Sequence, residues 1–156
     1  MKVEFINPFL LAGTEMLTQF IGGEVESGQL SMRTKMFTTQ QISIMVGVSG
    51  QVRGQVIYGM SKVTATKIAS AMIGSPHVMF DEMAASAIGE LGNIISANAI
   101  FRLSEAGFIC DLTPPSVIQG TNVEIATSTP ALLVQVYTTC GPIEVNVALA
   151  EHVDAH

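Results

Sequence analysis

A carboxylate and a carboxamide stand three residues apart in segment 88–99, as Glu90 and Asn93. At about 100° per residue in a helix, both side chains lie on one face together with Ser86 and Ala97. A carboxylate pairs with cations, and an amide both donates and accepts hydrogen bonds. These residue types predict a polar surface strip that binds a partner. The opposite face predicts a core contact, made by Ile88, Leu91, Ile95, Ala84 and Ala87.

Two glycines, Gly89 and Gly92, interrupt the same predicted helix. Each glycine inside a helix costs about 1 kcal/mol relative to alanine. One interpretation is that a larger side chain here would block an approaching partner, which makes both glycines candidate partner contacts. The alternative is close packing of the helix on a sheet, which glycine also permits.

Other residue types that carry out catalysis are not arranged for it. Cys110 and Cys140 lie far apart without histidines at metal-ligand spacing, which predicts buried free thiols rather than a disulfide or a zinc site. His77 lies in a loop-like segment, and His152 and His156 lie in a polar tail. The sequence therefore offers no pairing of a nucleophile with a base.

The length of 156 residues and the 48% hydrophobic content predict a single domain over residues 1–156 with one core. No apolar run reaches the roughly 18 residues that span a bilayer, so no membrane insertion is expected. The first residues lack a cleavable apolar segment, and we therefore expect a cytoplasmic protein.

Charge is distributed unevenly along the chain. Residues 1–78 carry six basic and four acidic side chains, whereas residues 79–156 carry one basic and nine acidic side chains. Nucleic acid is a poor partner, because binding it requires clustered lysine and arginine. A protein partner with exposed lysines suits this chain better.

The order of elements predicts a duplicated unit. Asn7-Pro8 reads as a cap and first helical residue, and an apolar stripe follows to Ile21. A short helix over 61–73 and a long one over 81–105 are expected. Strands are predicted over 25–35, 41–48, 51–60, 117–119, 132–139 and 143–149. The fold class is therefore α+β, with two helix plus three-strand halves and helices covering an antiparallel sheet.

A second glutamate and asparagine with the same spacing, Glu4 and Asn7, shows that the motif alone is weak. Asn7 precedes Pro8 and is interpreted as the cap of the first helix, with Glu4 outside it. Glu90 and Asn93 are mid-helix and project side by side. Only the second pair is predicted to form a surface, although an exposed asparagine is often simply solvated.

The run from Glu90 to Ala99 resembles the signature helix of the CheC, CheX and FliY family of chemotaxis phosphatases. Ile6-Asn7-Pro8-Phe9 resembles the opening of the CheX branch, which keeps one active helix. In the first helix, Glu15 is followed by Thr18 where the family would need asparagine, so that helix is predicted to be inactive. Ala97 stands where family members often carry glycine.

The resemblance implies a substrate, a phosphorylated CheY-type response regulator whose aspartyl phosphate lies beside a Mg²⁺ ion held by the regulator. It implies that Asn93 orients the attacking water and that Glu90 pairs with a regulator lysine. The chain itself would need no cofactor, and the resemblance also implies a homodimer.

Two alternative hypotheses assign the chain to other classes of protein. The same strip would serve a non-catalytic adaptor that binds a response regulator or a motor component. The second alternative is a purely structural dimer module. The apolar strand at 131–136 would pair with a second copy if it lay at a sheet edge.

Overall fold

The computed structural model describes residues 3–152, which form three helices and nine strands. The helices are α1 (Val3–Ile21), α2 (Lys62–Ile73) and α3 (Glu82–Glu105). The strands are β1 (Glu26–Arg33), β2 (Met36–Thr38), β3 (Ile42–Gly50), β4 (Val52–Met60), β5 (Cys110–Leu112), β6 (Ser116–Gln119), β7 (Glu124–Ala126), β8 (Ala131–Thr138) and β9 (Gly141–Glu151). The predicted α+β class is confirmed.

Seven strands form one antiparallel sheet in the order β1-β8-β9-β4-β3-β5, with β6 also paired to β3. The hairpin β3–β4 of the first half meets the hairpin β8–β9 of the second half where β4 pairs with β9, for example Val56 opposite Val147. Each half thus supplies a helix, a hairpin and outer strands, which confirms the predicted duplication, but the halves contain four and five strands rather than the three predicted for each. The short strands β2 and β7 form a separate ribbon that the sequence did not predict.

The two faces of the sheet are covered differently. Residues at alternate positions of the strands point to opposite faces, and one set packs under the helices with Phe9, Ile88 and Leu91 in the main core. On the other face, Phe37 and Ile125 of the β2–β7 ribbon pack in a second small cluster. Among residues 3–152, no helix has the length and apolar character needed to cross a bilayer.

The predicted start of α1 is wrong. Asn7 does not cap the helix, because α1 already includes Val3 and runs through Pro8 to Ile21. Proline lacks the N–H that would bond to the Glu4 carbonyl four residues earlier. Burial of Phe5 and Phe9 in the main core outweighs this loss and keeps the segment helical.

The strand proposed as a dimer edge is not an edge. β8 lies between β1 and β9, and its backbone is paired on both sides. The outer strands are β1 at one end of the sheet and β5 and β6 at the other. An apolar strand in the interior of a sheet explains the pattern of Ala131–Thr138 without a second copy.

Candidate catalytic surface on helix α3

Helix α3 begins and ends where the sequence predicts. The Asp81 side chain caps the first turn by accepting a hydrogen bond from the Ala84 amide at 2.8 Å. At the other end, Gly107 has a φ of 100°, a left-handed conformation that favours glycine, and the Phe108 amide bonds to the Leu103 carbonyl. The helix between these signals lies over β3, β5 and β6.

The assignment of Gly89 and Gly92 to the partner surface is wrong, because both residues are buried against the sheet. A Cβ atom on Gly92 would stand 2.5 Å from Cγ2 of Ile44 in β3. A Cβ atom on Gly89 would stand 3.3 Å from Cγ2 of Val117 in β6. The glycines let the backbone of α3 approach the sheet, which was the alternative interpretation.

A buried hydrogen bond fixes α3 against the centre of the sheet. The Tyr58 hydroxyl of β4 and Oγ of Ser96 are 2.8 Å apart, and both residues are buried. Burial raises the pKa of Tyr58 far above its ordinary value, so the hydroxyl stays protonated around neutral pH. This contact was not predicted from the sequence, although a serine on the apolar face of a helix was a signal for it.

We expect Ser96→Ala to destabilise the fold more than Tyr58→Phe. Removing the tyrosine hydroxyl loses a hydrogen bond worth about 1 kcal/mol, and the serine can turn to a backbone carbonyl of its own helix. Removing the serine leaves a buried hydroxyl unpaired, which costs about 1–3 kcal/mol. Urea unfolding of both variants and the double variant measures this. Strictly additive losses would show that the bond contributes nothing.

The predicted polar strip is present. Ser86, Glu90 and Ala97 are exposed, and Asn93 is half-buried. Side chains three apart on a helix have Cβ atoms roughly 5–6 Å from each other, so Glu90 and Asn93 are neighbours. Within residues 3–152, neither side chain forms a hydrogen bond or ion pair with another part of the chain. Both polar groups are therefore available to a visiting molecule.

Other polar residues in this region are already used within the chain. Oδ1 of Asn98 accepts a hydrogen bond from Nε of Arg102 at 2.9 Å, and the same guanidinium binds the Glu15 carboxylate of α1. The Thr18 hydroxyl donates to the Thr14 carbonyl. In the first helix, Glu15 thus serves to join α1 to α3.

Glu4, predicted to lie outside the first helix, and Asn7, predicted to cap it, both lie on α1, and both are exposed. The residues that follow Glu4 are buried in the same order as those that follow Glu90. In both helices, two buried residues come first, the asparagine comes next, and another buried apolar residue lies two positions after the asparagine. Asn7 differs from Asn93 in being exposed rather than half-buried. A half-buried amide has fewer rotamers and is better suited to hold one orientation.

The cysteines offer no nucleophile. Cys110 and Cys140 are free, as predicted, but half-buried rather than buried. Desolvation raises the pKa of both thiols, which keeps them protonated at neutral pH. No group of three or more His, Cys, Asp or Glu side chains within residues 3–152 is placed to hold a metal ion.

The fold is that of a class of chemotaxis proteins whose members include proteins of known structure. The structure of a chemotaxis protein CheX from Desulfovibrio desulfuricans superimposes with a TM-score of 0.84 at 27% identity, covering 96% of this chain and 100% of that one. A CheX–CheY–BeF3–Mg²⁺ complex from Borrelia burgdorferi gives a TM-score of 0.79 at 31% identity, covering 96% and 100%.

The sequence comparisons identify the family within that class. Residues 42–138 match the model of the family described as chemotaxis phosphatase CheX. The CheY-P phosphatase CheX of Thermotoga maritima is 32% identical over 126 residues, which cover 80% of this chain and 81% of that protein. The chain belongs to the CheX family of chemotaxis phosphatases.

Proposed function

We propose that this chain hydrolyses the aspartyl phosphate of a CheY-type response regulator by inserting α3 into the regulator's active site. A relative named CheY-P phosphatase and a related complex that contains CheY support this activity. The observation that carries the site assignment is the Asn93 amide, half-buried on a rigid helix and unpartnered within residues 3–152, with the Glu90 carboxylate one turn away.

Asn93 orients the attacking water in line with phosphorus. Water forms the new P–O bond while the bond to the regulator's aspartate breaks, which releases inorganic phosphate and a free carboxylate. The transition state requires positioning more than covalent chemistry from the enzyme. A neutral amide accepts and donates hydrogen bonds to the water, whereas an aspartate would repel the phosphoryl oxygens.

Metal chemistry is supplied by the substrate in this proposal. The Borrelia complex contains Mg²⁺ and BeF3, a group that stands in for a phosphoryl group. A divalent ion bound by the regulator neutralises charge on the phosphoryl oxygens. The chain then contributes what the regulator lacks, an ordered water and the group that holds it.

Glu90 docks the helix by pairing with a lysine of the regulator. Its exposed carboxylate lies beside Asn93 and repeats the acidic character of the second half of the chain. Pairing would set the register of α3 over the phosphorylation site and draw the lysine away from the phosphate. Exposed Ser86 and Ala97 border this contact, and the Ala97 methyl is small enough to admit a partner.

We expect Glu90→Gln to raise the Kd for phosphorylated regulator about twofold to fivefold at low salt, because one exposed charge pair is lost. The wild-type affinity should fall as salt rises, and that of the variant should fall less, since screening acts on the pair. Titration at several salt concentrations measures both. Glu124→Gln on β7, across the sheet, is the matched control. An unchanged salt dependence would remove the docking role.

The direct test is turnover. A small amount of the chain, mixed with an excess of acylphosphorylated regulators one at a time, should clear many equivalents of the substrate regulator's phosphate. Binding without multiple turnover would instead identify the chain as an adaptor.

A further inference from the structure

Two large apolar side chains stand on the same face of α3 as Glu90. Met83 precedes Glu90 by seven residues, and Phe101 follows Ala97 by four, spacings that put side chains on one helical face. Their exposed fractions are 58% and 64%. All seven phenylalanines lie within residues 3–152, and Phe101 alone among them is exposed.

A single exposed apolar residue needs no explanation, but these two bracket the polar pair along one line. From Met83 to Phe101 the helix rises about 27 Å. A standard protein interface covers about 800 Å² of each partner, a patch roughly 30 Å across. Both side chains therefore fall within one footprint centred between Glu90 and Asn93, so both can become buried when a partner covers this face.

The polar pair cannot supply the affinity by itself. An exposed ion pair changes an equilibrium constant by about fivefold at most, and a water-orienting amide contributes mainly in the transition state. Binding energy at interfaces is concentrated in a few large side chains that become buried on contact. Met83 and Phe101 are the exposed side chains of α3 with enough apolar surface for that role.

We propose that Met83 and Phe101 are docking anchors that bind apolar surface on either side of the regulator's phosphorylation site and determine which regulators the chain accepts. This inference rests on the proposed function. The occupant is the regulator, because the anchors are continuous with the Glu90–Asn93 surface that must contact it. Met32 on β1, another exposed apolar residue, lies at the opposite end of the sheet from the strands that α3 covers.

An anchor distant from phosphorus holds the ground state and the transition state equally. Its removal should raise KM and leave kcat nearly unchanged. Removal of the Asn93 amide should have the opposite effect, because it should lower kcat and leave KM nearly unchanged. Methionine adapts to different surfaces and phenylalanine is rigid, so Phe101 should discriminate more strongly among regulators.

The test is titration of Met83→Ala and Phe101→Ala with regulator loaded with beryllofluoride and Mg²⁺, together with steady-state dephosphorylation. Each variant should raise Kd and KM about tenfold and keep kcat within about twofold. Phe101→Met should recover most of the affinity, because it restores apolar area. Met32→Ala and Tyr137→Ala remove exposed side chains from β1 and β8 and should leave Kd unchanged.

The outcomes separate this inference from the activity itself. If the wild-type chain does not turn over phosphorylated regulator, the proposed function fails. If the wild type turns over and both anchor variants keep wild-type Kd and KM, the anchors are refuted. The inference is also overturned if light scattering shows that the variants break a dimer of this chain while regulator affinity is retained, because the face would then bind a second copy.

Discussion

The Asn93→Ala variant is expected to bind beryllofluoride-loaded regulator with near wild-type affinity and to lose accelerated dephosphorylation by about a hundredfold or more. Misplacing a reacting group by about 1 Å can cost this much, and the variant removes the group that holds the water. Asn93→Asp should be equally inactive although its size is preserved, because its carboxylate repels the phosphoryl oxygens. Single-turnover decay of the phosphorylated regulator measures both.

Asn7→Ala is the matched control, since Asn7 follows a glutamate at the same spacing on an exposed helix face. It should retain full turnover, because its exposed amide lacks the enclosure that restricts the half-buried Asn93. If Asn93→Ala and Asn7→Ala each keep about half of the activity, both helices are active and the assignment to α3 alone is wrong. If the phosphate lifetime is the same with Asn93→Ala and with wild type, the catalytic role is lost.

Gly92→Ala is expected to lower the free energy of unfolding by about 2 kcal/mol. The added Cβ would meet Cγ2 of buried Ile44 at 2.5 Å, and overpacking of this kind costs about 1–3 kcal/mol. A contact as close as 2.5 Å places the cost at the upper end of this range, and subtracting the gain of about 1 kcal/mol from replacing glycine inside a helix leaves a loss of about 2 kcal/mol. Denaturant unfolding measures the loss, and activity should fall because α3 moves away from β3.

Gly13→Ala in α1 is the control that separates the effect of helix propensity from the effect of overpacking. A Cβ there meets no atom within 4 Å, so this variant should be stabilised by up to about 1 kcal/mol. In the Gly92→Ala background, Ile44→Ala should cost less than the roughly 2–5 kcal/mol expected in the wild type, because it makes room for the new methyl. Unchanged stability with weaker regulator binding would instead restore Gly92 to the partner surface.

The limits of α3 were predictable because capping is local. Asp81 and Gly107 act on residues within four positions of themselves, and the structure leaves both ends where these signals place them. The burial of Gly92 on the core face of α3 could also have been predicted from the sequence. It lies four residues after Ile88 and three before Ile95, the spacing of one helical face, so the buried interpretation had the stronger geometric support.

What the sequence could not provide came from tertiary packing. Asn7-Pro8 has the local chemistry of a helix start, but burial of Phe5 on the preceding turn extends α1 beyond it. Strands β2, β5 and β7 have three residues each, which is too short for a periodic signal. The interior position of β8 depends on its pairing with β1, whose partner residues are about a hundred positions away in the chain.

The pairing of β4 with β9 in the middle of the sheet also affects how this protein folds during its synthesis. The ribosome releases β1 to β4 long before β9 emerges, and until then β4 has no neighbour on one side. Contacts so remote in sequence slow folding, and bare strand edges invite aggregation. We therefore expect the nascent first half to be prone to aggregation until β9 is made, and a stop codon before residue 141 would leave a fragment that lacks one of the two central strands.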